Sequence, residues 1–339
     1  MHIVITGGAG FLGARLARTL LANGELSLAG APAQPISRLT LVDRAAPALG
    51  LLSNPHVSSV IGDLNELLAS APRSVVPADA DLVFHLAAAV SGECEADFDL
   101  GMRSNLAATE ALLATCRALG TCPTVVFTSS LAVFGDSPEH PAPAMIEDDT
   151  LPTPQTSYGI QKFIGEQLTA DYGRKGFIRG RNVRLMTVCV RPGRPNGAAS
   201  GFFSGMIREP LAGVRSHCPV SADTAVALAS PGSTIAGILR SAQASDAEWG
   251  PRIGLNLPAI STTTGAMAAA LERIAGPDAA ALIDWTPDPV IARIVATWPA
   301  HVNAVRARGL GLLPDASIES IIRDYVREHP SAVRWAIAP

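Results

Sequence analysis

The chain has 339 residues, of which 48% are hydrophobic and 17% charged, and its formal net charge is −4. This composition excludes a disordered chain, and the length favours a main domain with a second lobe. Because no basic stripe is present for a phosphate backbone, no nucleic acid partner is expected. The five cysteines form no C-x-x-C pair, the histidines lack metal-ligand spacing, and no apolar run approaches the length of a membrane span. We therefore expect a reduced, cytoplasmic protein without a metal or a membrane segment.

The chain begins with a predicted strand, a glycine-rich turn and a helix. His2 to Thr6 is apolar and rich in β-branched residues, and an amphipathic pattern follows the turn as far as Asn23. Gly7 would allow a sharp turn, Gly10 the approach of a pyrophosphate to the backbone, and Gly13 close packing of the helix on the strand. The N-H groups at the start of the helix would face the phosphates. This stretch therefore predicts a dinucleotide-binding site.

The second predicted strand, Leu39 to Asp43, ends in a carboxylate. An acid at this point hydrogen-bonds the adenosine ribose and repels a 2'-phosphate, so Asp43 favours NAD over NADP. A loose insertion from Glu25 to Ser37 puts Asp43 further from the glycines than the usual spacing of about 20 residues. Two alternatives stay open: Asp43 is a solvated turn acid, or Arg44 beside it meets a phosphate.

Three further strands are predicted at Val57 to Ile61, Leu82 to Leu86 and Thr124 to Thr128. The first two are interpreted as apolar on both faces and followed by helical segments, as a parallel sheet covered by helices requires. The small residues Ala87 to Ala89 allow a planar cofactor to lie against the backbone, or simply start a helix.

Two predicted helices carry polar side chains of a candidate active site. The helix from about Leu100 to Leu119 places Asn105 on an apolar face, where it either bridges the backbone to the active site or caps a local turn. A later helix places Tyr158 and Lys162 four residues apart and therefore on one face. A neighbouring ammonium favours an ionised phenol, so the pair is a candidate general base, with Ser130 holding the reacting oxygen. A Tyr and a Lys at this spacing also occur by chance, so the pair alone does not identify an active site. The order of the motifs along the chain decides whether this pair is catalytic.

That order resembles the extended short-chain dehydrogenase/reductase family. TGGAGFLG, HLAA from His85, SSLAVFG from Ser129 and YGIQK from Tyr158 follow one another as in that family, and the resemblance extends to about residue 195. It implies Ser130, Tyr158 and Lys162 as catalytic residues, with Tyr158 and Lys162 also at the cofactor. The implied cofactor-binding set comprises, besides these two, Gly7, Gly10, Phe11, Leu12, Gly13, Asp43, Asp63, Leu64, Ala87, Ala88, Asn105 and Pro192 with Gly193.

The fold that the resemblance implies is α/β, with a Rossmann-type doubly wound parallel sheet and a smaller mixed C-terminal lobe for the substrate. Residues 1–190 plus about 231–258 are expected to bind NAD. Residues about 191–230 and 259–339 are expected to bind the substrate. Apolar positions on the helices near Leu100 and Tyr158 form either a dimer face or core, so a homodimer stays open.

Two departures from family patterns narrow the chemistry. Sugar-nucleotide 4,6-dehydratases carry an Asp-Glu pair where this chain has Leu131 and Ala132, and elimination of water needs an acid and a base there, so dehydration is not expected. Nucleotide-sugar epimerases resemble one another in an Asn where this chain has Thr187. This departure points to a small substrate.

Two segments, His85 to Asp99 and Arg191 to Leu211, resemble a bacterial group of D-erythronate dehydrogenases within this family. The resemblance implies NAD-dependent oxidation of the C2 hydroxyl of a four-carbon sugar acid to a 2-oxo acid. Arg208 is the first candidate for the substrate carboxylate, and Ser91 is a candidate for its hydroxyls beside Ser130 and Tyr158.

Alternatives remain at the levels of residue and function. The alternative for Arg208 is an exposed charge on the surface of a helix. Arg191 and Arg194 are interpreted as residues that order the loop near the cofactor instead of binding the substrate. One rival function is an epimerase that uses the same three catalytic residues and keeps its NAD. Another is a non-catalytic NAD-sensing protein, although such proteins commonly lose the Tyr or the Lys, and both are present here.

Overall fold

The structure is a computed structural model, and it describes residues 1–139, 141–193 and 197–338. Strands and helices alternate along most of the chain. The strands in the described ranges are β1 (His2–Thr6), β2 (Glu25–Leu26), β3 (Gln34–Pro35), β4 (Arg38–Asp43), β5 (Val57–Ile61), β6 (Leu82–His85), β7 (Thr124–Ser130), β8 (Arg179–Leu185), β9 (Thr187–Val188), β10 (Ser216–Cys218), β11 (Ala225–Ala229), β12 (Leu255–Asn256), β13 (Ile260–Thr263) and β14 (Ile283–Trp285).

The α-helices vary from single turns to the long helix that carries Tyr158. Those in the described ranges are α1 (Phe11–Asn23), α2 (Leu49–Leu52), α3 (Leu64–Ser70), α4 (Pro72–Val75), α5 (Ser91–Ala96), α6 (Phe98–Gly101), α7 (Ala108–Arg117), α8 (Ser157–Arg174), α9 (Gly201–Leu211), α10 (Pro231–Gln243), α11 (Asp246–Trp249), α12 (Thr264–Ala275), α13 (Pro277–Ala280), α14 (Pro289–Ala296), α15 (Val305–Gly309) and α16 (Ile318–Glu328). Short 3-10 turns lie at Leu131–Val133 and Pro330–Ala332.

The core of the fold is a seven-stranded sheet in the order β12-β8-β7-β6-β1-β4-β5. Each neighbouring pair in this sheet is parallel. The strand order reverses beside β1, because the chain adds β4 and β5 on one side and then crosses to β6 on the other. Ligands bind at the carboxyl ends of the strands at such a switch point. The α/β, doubly wound Rossmann-type fold is therefore confirmed.

The third predicted strand differs from its prediction. It forms β5 at the edge of the sheet, where no further strand covers it, and Ile61 is 53% exposed. The interpretation of this strand as apolar on both faces is wrong: its Ser58 and Ser59 suit an edge that meets solvent on one side.

The helix predicted from Leu100 to Leu119 is irregular. Its first part is α6, its last part is α7, and a π-helical segment, Met102–Ala107, joins them. The widened turn carries Asn105. Such π-helical segments are frequent at functional sites.

The extended segment from Arg179 to Val188 is divided between two sheets. β8 ends at Leu185 opposite Ser130, and β9 then pairs with β11 in a three-stranded mixed sheet with β13. Two more strands, β10 and β14, form a separate parallel pair. The chain therefore leaves the central sheet directly beside the carboxyl end of β7, where the candidate catalytic Ser130 lies.

The smaller sheets belong to a second lobe with its own core. Phe203, Met206, Met267, Leu271 and Ile322 are fully or almost fully buried there, on α9, α12 and α16. The helix α15 instead packs through Ala307 and the following Leu310 on the core of the large sheet. Within the described ranges, no helix combines the length and apolar character needed to cross a membrane.

Candidate active site

A cavity of about 380 Å³ lies at the carboxyl ends of the central strands. It extends from the glycine turn after β1 to residues that follow β8 and β9. Of the predicted site residues it is lined by Gly7, Gly10, Phe11, Leu12, Gly13, Asp43, Asp63, Leu64, Ala87, Ala88, Ser91, Ser130, Tyr158 and Lys162. Four predicted residues, Asn105, Pro192, Gly193 and Arg208, do not line it.

The glycine turn is held against the neighbouring strand. The backbone N-H groups of Gly7 and Gly8 donate to the carbonyl of Val42 at 2.8 and 3.2 Å, and Gly7 has a φ of +72°. A Cβ at Gly13 would lie 2.0 Å from the carbonyl oxygen of Gly7, so the helix packs on the turn as only glycine permits. The first turn of α1 contains no acidic residue, which leaves its N-H groups available to an anion. This part of the cavity fits a dinucleotide.

Asp43 is fixed at the end of β4 by the turn that it faces. Its carboxylate accepts from the backbone N-H of Ala9 at 3.0 Å and from that of Ala45 at 3.1 Å. The negative charge therefore lies inside the cavity wall, where it fits a ribose with free hydroxyls better than a 2'-phosphate. Asp63 has a different local role, since it caps α3 by accepting from the N-H of Asn65 at 2.9 Å.

Asn105 bridges two elements behind the cavity, as one of the two open interpretations expected. Its amide accepts from the N-H of Ala89 at 2.8 Å, and it donates to the carbonyl of Ala89 at 3.1 Å and to Gln161 at 2.8 Å. These bonds join the alanine turn after β6 to α8. Because Asn105 is almost fully buried and does not line the cavity, it supports the cavity wall from outside.

His85 supports the same alanine turn from the other side. Its Nδ1 lies 2.7 Å from the Thr6 hydroxyl, which also accepts from the N-H of Ala87 at 3.3 Å. Its Nε2 lies 2.9 Å from the Thr109 hydroxyl, which donates to the carbonyl of Asn105. Burial, together with a smaller effect of the Lys162 charge, lowers the pKa of His85 to about 3. The imidazole is therefore a neutral connector between β1, the alanine turn and the π-helical segment.

The candidate catalytic residues meet at the end of β7. The Lys162 ammonium donates to the carbonyl of Thr128 at 2.9 Å and lies 5.7 Å from the centre of the Tyr158 ring. Burial lowers the pKa of Lys162 to about 8. Burial also raises the pKa of Tyr158 to about 12, although a hydrogen bond with Ser130 and the charge of Arg191 oppose this. The pKa of the phenol is therefore raised, not lowered as the pairing with Lys162 had predicted, because desolvation dominates.

The position of Tyr158 depends on features that sequence reasoning missed. Gly159 brings α8 close to the Ser130 turn, because a Cβ there would lie 2.1 Å from the carbonyl oxygen of Ala132. Further along α8, Glu166 accepts two hydrogen bonds of 2.8 Å from Arg184 on β8. Gly159, the glycine in YGIQK, was the one local signal in the sequence for the close approach of α8 to the Ser130 turn. The buried ion pair leaves no local signal, since its partners are far apart in sequence.

The second lobe supplies the other end of the cavity. Arg191, Ser200, Thr187 and Trp298 line it, and none of them was predicted as a binding residue. Ser91 also lines the cavity, and its hydroxyl accepts from the N-H of Ala199 at 3.2 Å. The available signal was the position of Arg191 directly before Pro192, at the turn into the second lobe.

Arg208 does not occupy the place predicted for it. Its side chain is buried, donates to the carbonyl of Arg191 at 2.6 Å and forms an ion pair with Glu209. Both interpretations of Arg208 are therefore wrong: it neither faces the cavity nor lies exposed on a helix. Its hydrogen bond to the backbone carbonyl of Arg191 helps to order the loop near the cofactor, a role that had been considered for Arg191 and Arg194. Arg194 lies outside the described residues.

The match to known proteins agrees with this geometry. Residues 3–226 match the model of the NAD dependent epimerase/dehydratase family. The chain belongs to this family. The resemblance inferred from the motifs is confirmed, and NAD is the cofactor of the family.

Family members similar to this chain over almost its whole length include two named D-erythronate dehydrogenase. That of Cupriavidus necator is 48% identical over 97% of this chain and 98% of its own, and that of Haemophilus influenzae is 37% identical over 96% and 99%. The crystal structure of the nucleoside-diphosphate-sugar epimerase from Agrobacterium tumefaciens is 41% identical and superposes with a TM-score of 0.87, covering 98% of this chain and 95% of that one.

Proposed function

We propose that the protein oxidises the C2 hydroxyl of a small sugar acid such as D-erythronate to the 2-oxo acid, with NAD as the oxidant. The observation that carries the proposal is one continuous cavity that joins a dinucleotide-binding turn to Ser130, Tyr158 and Lys162. The full-length similarity to two D-erythronate dehydrogenases supports the choice of substrate.

The glycine turn and Asp43 would hold the adenosine diphosphate part of NAD, and Lys162 its nicotinamide ribose. The chemistry that NAD supplies when bound is the acceptance of a hydride. Ser130 and Tyr158 hold the substrate hydroxyl, because both hydroxyls line the cavity and interact with each other. Tyr158 takes the hydroxyl proton as a general base. Lys162, fixed on the Thr128 carbonyl, favours the resulting phenolate through its charge.

The experiment that tests this function uses purified protein, NAD and a panel of four- to six-carbon sugar acids. We expect NADH absorbance with D-erythronate and a 2-oxo acid that can be trapped by a carbonyl reagent. If no acid in the panel yields NADH, the proposed oxidation is refuted.

An epimerase is the second candidate, favoured by the similarity to the A. tumefaciens protein. It would use the same Ser130, Tyr158 and Lys162 but would retain NAD and release no NADH. Tightly bound NAD in the purified protein, together with no NADH from any acid, would support this candidate. A non-catalytic NAD sensor is disfavoured because the chain keeps both Tyr158 and Lys162.

We also propose that residues 1–190 plus about 231–258 form the NAD-binding domain and that residues about 191–230 and 259–339 form the substrate-binding lobe. The separate apolar cores of the two lobes support this division, although α15 packs on the core of the first.

Exposed Phe98 and Ile160, on α6 and α8, support a homodimer, which sedimentation would test. Five free thiols support a cytoplasmic location, and no nucleic acid partner is proposed.

A further inference from the structure

Arg191 is fixed at the wall of the cavity by several bonds. Its Nε donates to the carbonyl of Val188 at 3.0 Å, and an amino group donates to the Ser200 hydroxyl at 2.8 Å. Its backbone N-H donates to the Ser204 hydroxyl at 3.0 Å, and its carbonyl accepts from Arg208. The guanidinium therefore has a defined orientation at the cavity before any ligand arrives.

The charge of Arg191 has no carboxylate partner among the residues that the structure describes. The neighbouring cation Arg208 is neutralised by Glu209. Arg191 forms no ion pair with a carboxylate of the described ranges, and the residues at positions 194–196 are Arg, Pro and Asn, which carry none. Burial lowers the pKa of Arg191. Since charges in such surroundings are normally paired, a ligand with a negative charge would supply the missing partner.

The same end of the cavity holds buried polar atoms without partners. These are the Ser129 and Thr187 hydroxyl oxygens and the Trp298 indole nitrogen. Buried polar groups in native proteins are normally hydrogen-bonded. Their presence in residues of the cavity wall favours a polar ligand over an apolar one.

Arg191 also lies near the catalytic phenol, close enough that its charge lowers the pKa of Tyr158. In a 2-hydroxy acid, the carboxylate is attached directly to the carbon that bears the reacting hydroxyl. An anion partner beside the general base therefore matches oxidation next to the carboxylate rather than at a distant hydroxyl.

From these observations we infer that Arg191 binds the substrate carboxylate and thereby selects 2-hydroxy acids. This inference rests on the proposed function. A planar guanidinium with a fixed orientation binds a carboxylate through two parallel hydrogen bonds, and an ammonium cannot reproduce this geometry.

The test compares Arg191→Gln with Arg191→Lys and with Arg215→Gln. Arg215 is exposed on the same lobe, so its substitution removes the same charge away from the cavity. We expect Arg191→Gln to raise KM for D-erythronate about 10- to 150-fold, the range for a charge-assisted hydrogen bond. Arg191→Lys should fall between the wild type and Arg191→Gln, and Arg215→Gln should match the wild type. With D-erythronamide, the uncharged amide of the substrate, Arg191→Gln and wild type should have similar KM values.

The pH profile separates this role from an effect through Tyr158. A carboxylate partner changes KM and leaves the pH dependence of kcat in place. If Arg191→Gln keeps KM for D-erythronate and instead moves the kcat profile to higher pH, the carboxylate assignment is overturned. An equal rise in KM for the acid and the amide would overturn it as well.

A binding measurement separates this inference from the proposed function. Oxamate, a small anion that mimics a 2-oxo acid, is titrated calorimetrically into each variant in the presence of NADH. Binding that is at least tenfold weaker in Arg191→Gln supports the anion site even if no sugar acid is oxidised. Oxidation of D-erythronate together with equal oxamate binding in both proteins leaves the proposed function standing and overturns the inference.

Discussion

Replacing two glycines of the first turn by alanine should have different effects, on stability at Gly13 and on NAD affinity at Gly10. At Gly13 the new Cβ would lie 2.0 Å from the Gly7 carbonyl oxygen and 2.9 Å from the Cα of Gly8. The helix must therefore move by about 1 Å against backbone that cannot rotate away, which costs about 3 kcal/mol. Alanine recovers about 1 kcal/mol through its helix propensity. Gly13→Ala should therefore lower the free energy of unfolding by about 2 kcal/mol.

At Gly10 the new Cβ meets only the Gly7 carbonyl oxygen, at 3.2 Å, and otherwise points into open space beside the cavity. Gly10 is the N-cap of α1, where alanine costs about 1 kcal/mol or less. Gly10→Ala should therefore unfold near the wild-type urea midpoint but bind NAD at least about tenfold more weakly, a loss of about 1.4 kcal/mol. Urea unfolding and calorimetric NAD titration measure the two effects. Equal midpoints for Gly13→Ala and the wild type would refute the packing argument, and unchanged NAD affinity in Gly10→Ala would refute the cofactor placement.

Three further substitutions test other parts of the site. Tyr158→Phe should lower kcat about 10²- to 10⁴-fold while NAD affinity stays within about threefold, and turnover near the wild-type rate would remove Tyr158 from the chemistry. Asp43→Ser should raise kcat/KM for NADP relative to NAD about tenfold, because it removes the charge that repels a 2'-phosphate; an unchanged ratio would contradict the role of Asp43. His85 has a pKa of about 3 when folded and an ordinary value of 6.5, so it contributes stability above pH 6.5 that is lost as the pH falls towards 3, up to about 5 kcal/mol. In urea unfolding at pH 7, 6 and 5, His85→Gln should lose less stability on acidification than the wild type, and equal losses would contradict the buried neutral imidazole.

Local patterns were sufficient to predict the first half of the cavity. The strand, glycines and helix at the start of the chain are contiguous, so their spacing alone predicts the turn that Gly7 and Gly13 form. The four-residue spacing of Tyr158 and Lys162 likewise predicts a shared helix face. In both cases, the residues that act together are neighbours in the sequence.

The substrate end could not be predicted in the same way. The sequence favoured Arg208 as the cation for the substrate carboxylate, but Glu209 neutralises it, and Arg191 lines the cavity instead. The packing of α9 within the second lobe decides which arginine faces the cavity. Trp298 reaches the cavity from a segment more distant still, and no local pattern connects it to the site.

Tertiary packing also decided the strand environments and the ionisation of the phenol. The edge position of β5 follows from the strand order, which strand patterns do not specify. A Tyr beside a Lys suggested a lowered pKa, whereas burial raises it. Desolvation of Tyr158 depends on how its surroundings pack, and the cavity that it lines is built by residues from both lobes.

The measurement that tests the central claim most directly uses D-erythronate deuterated at C2. The wild-type protein is mixed with this acid and NAD, and both products are analysed by mass spectrometry. We predict that the NADH carries the deuterium and that the acid becomes a 2-oxo acid without it. Unlabelled NADH would contradict oxidation at C2, and deuterium recovered in an epimer without NADH release would contradict the dehydrogenase in favour of an epimerase.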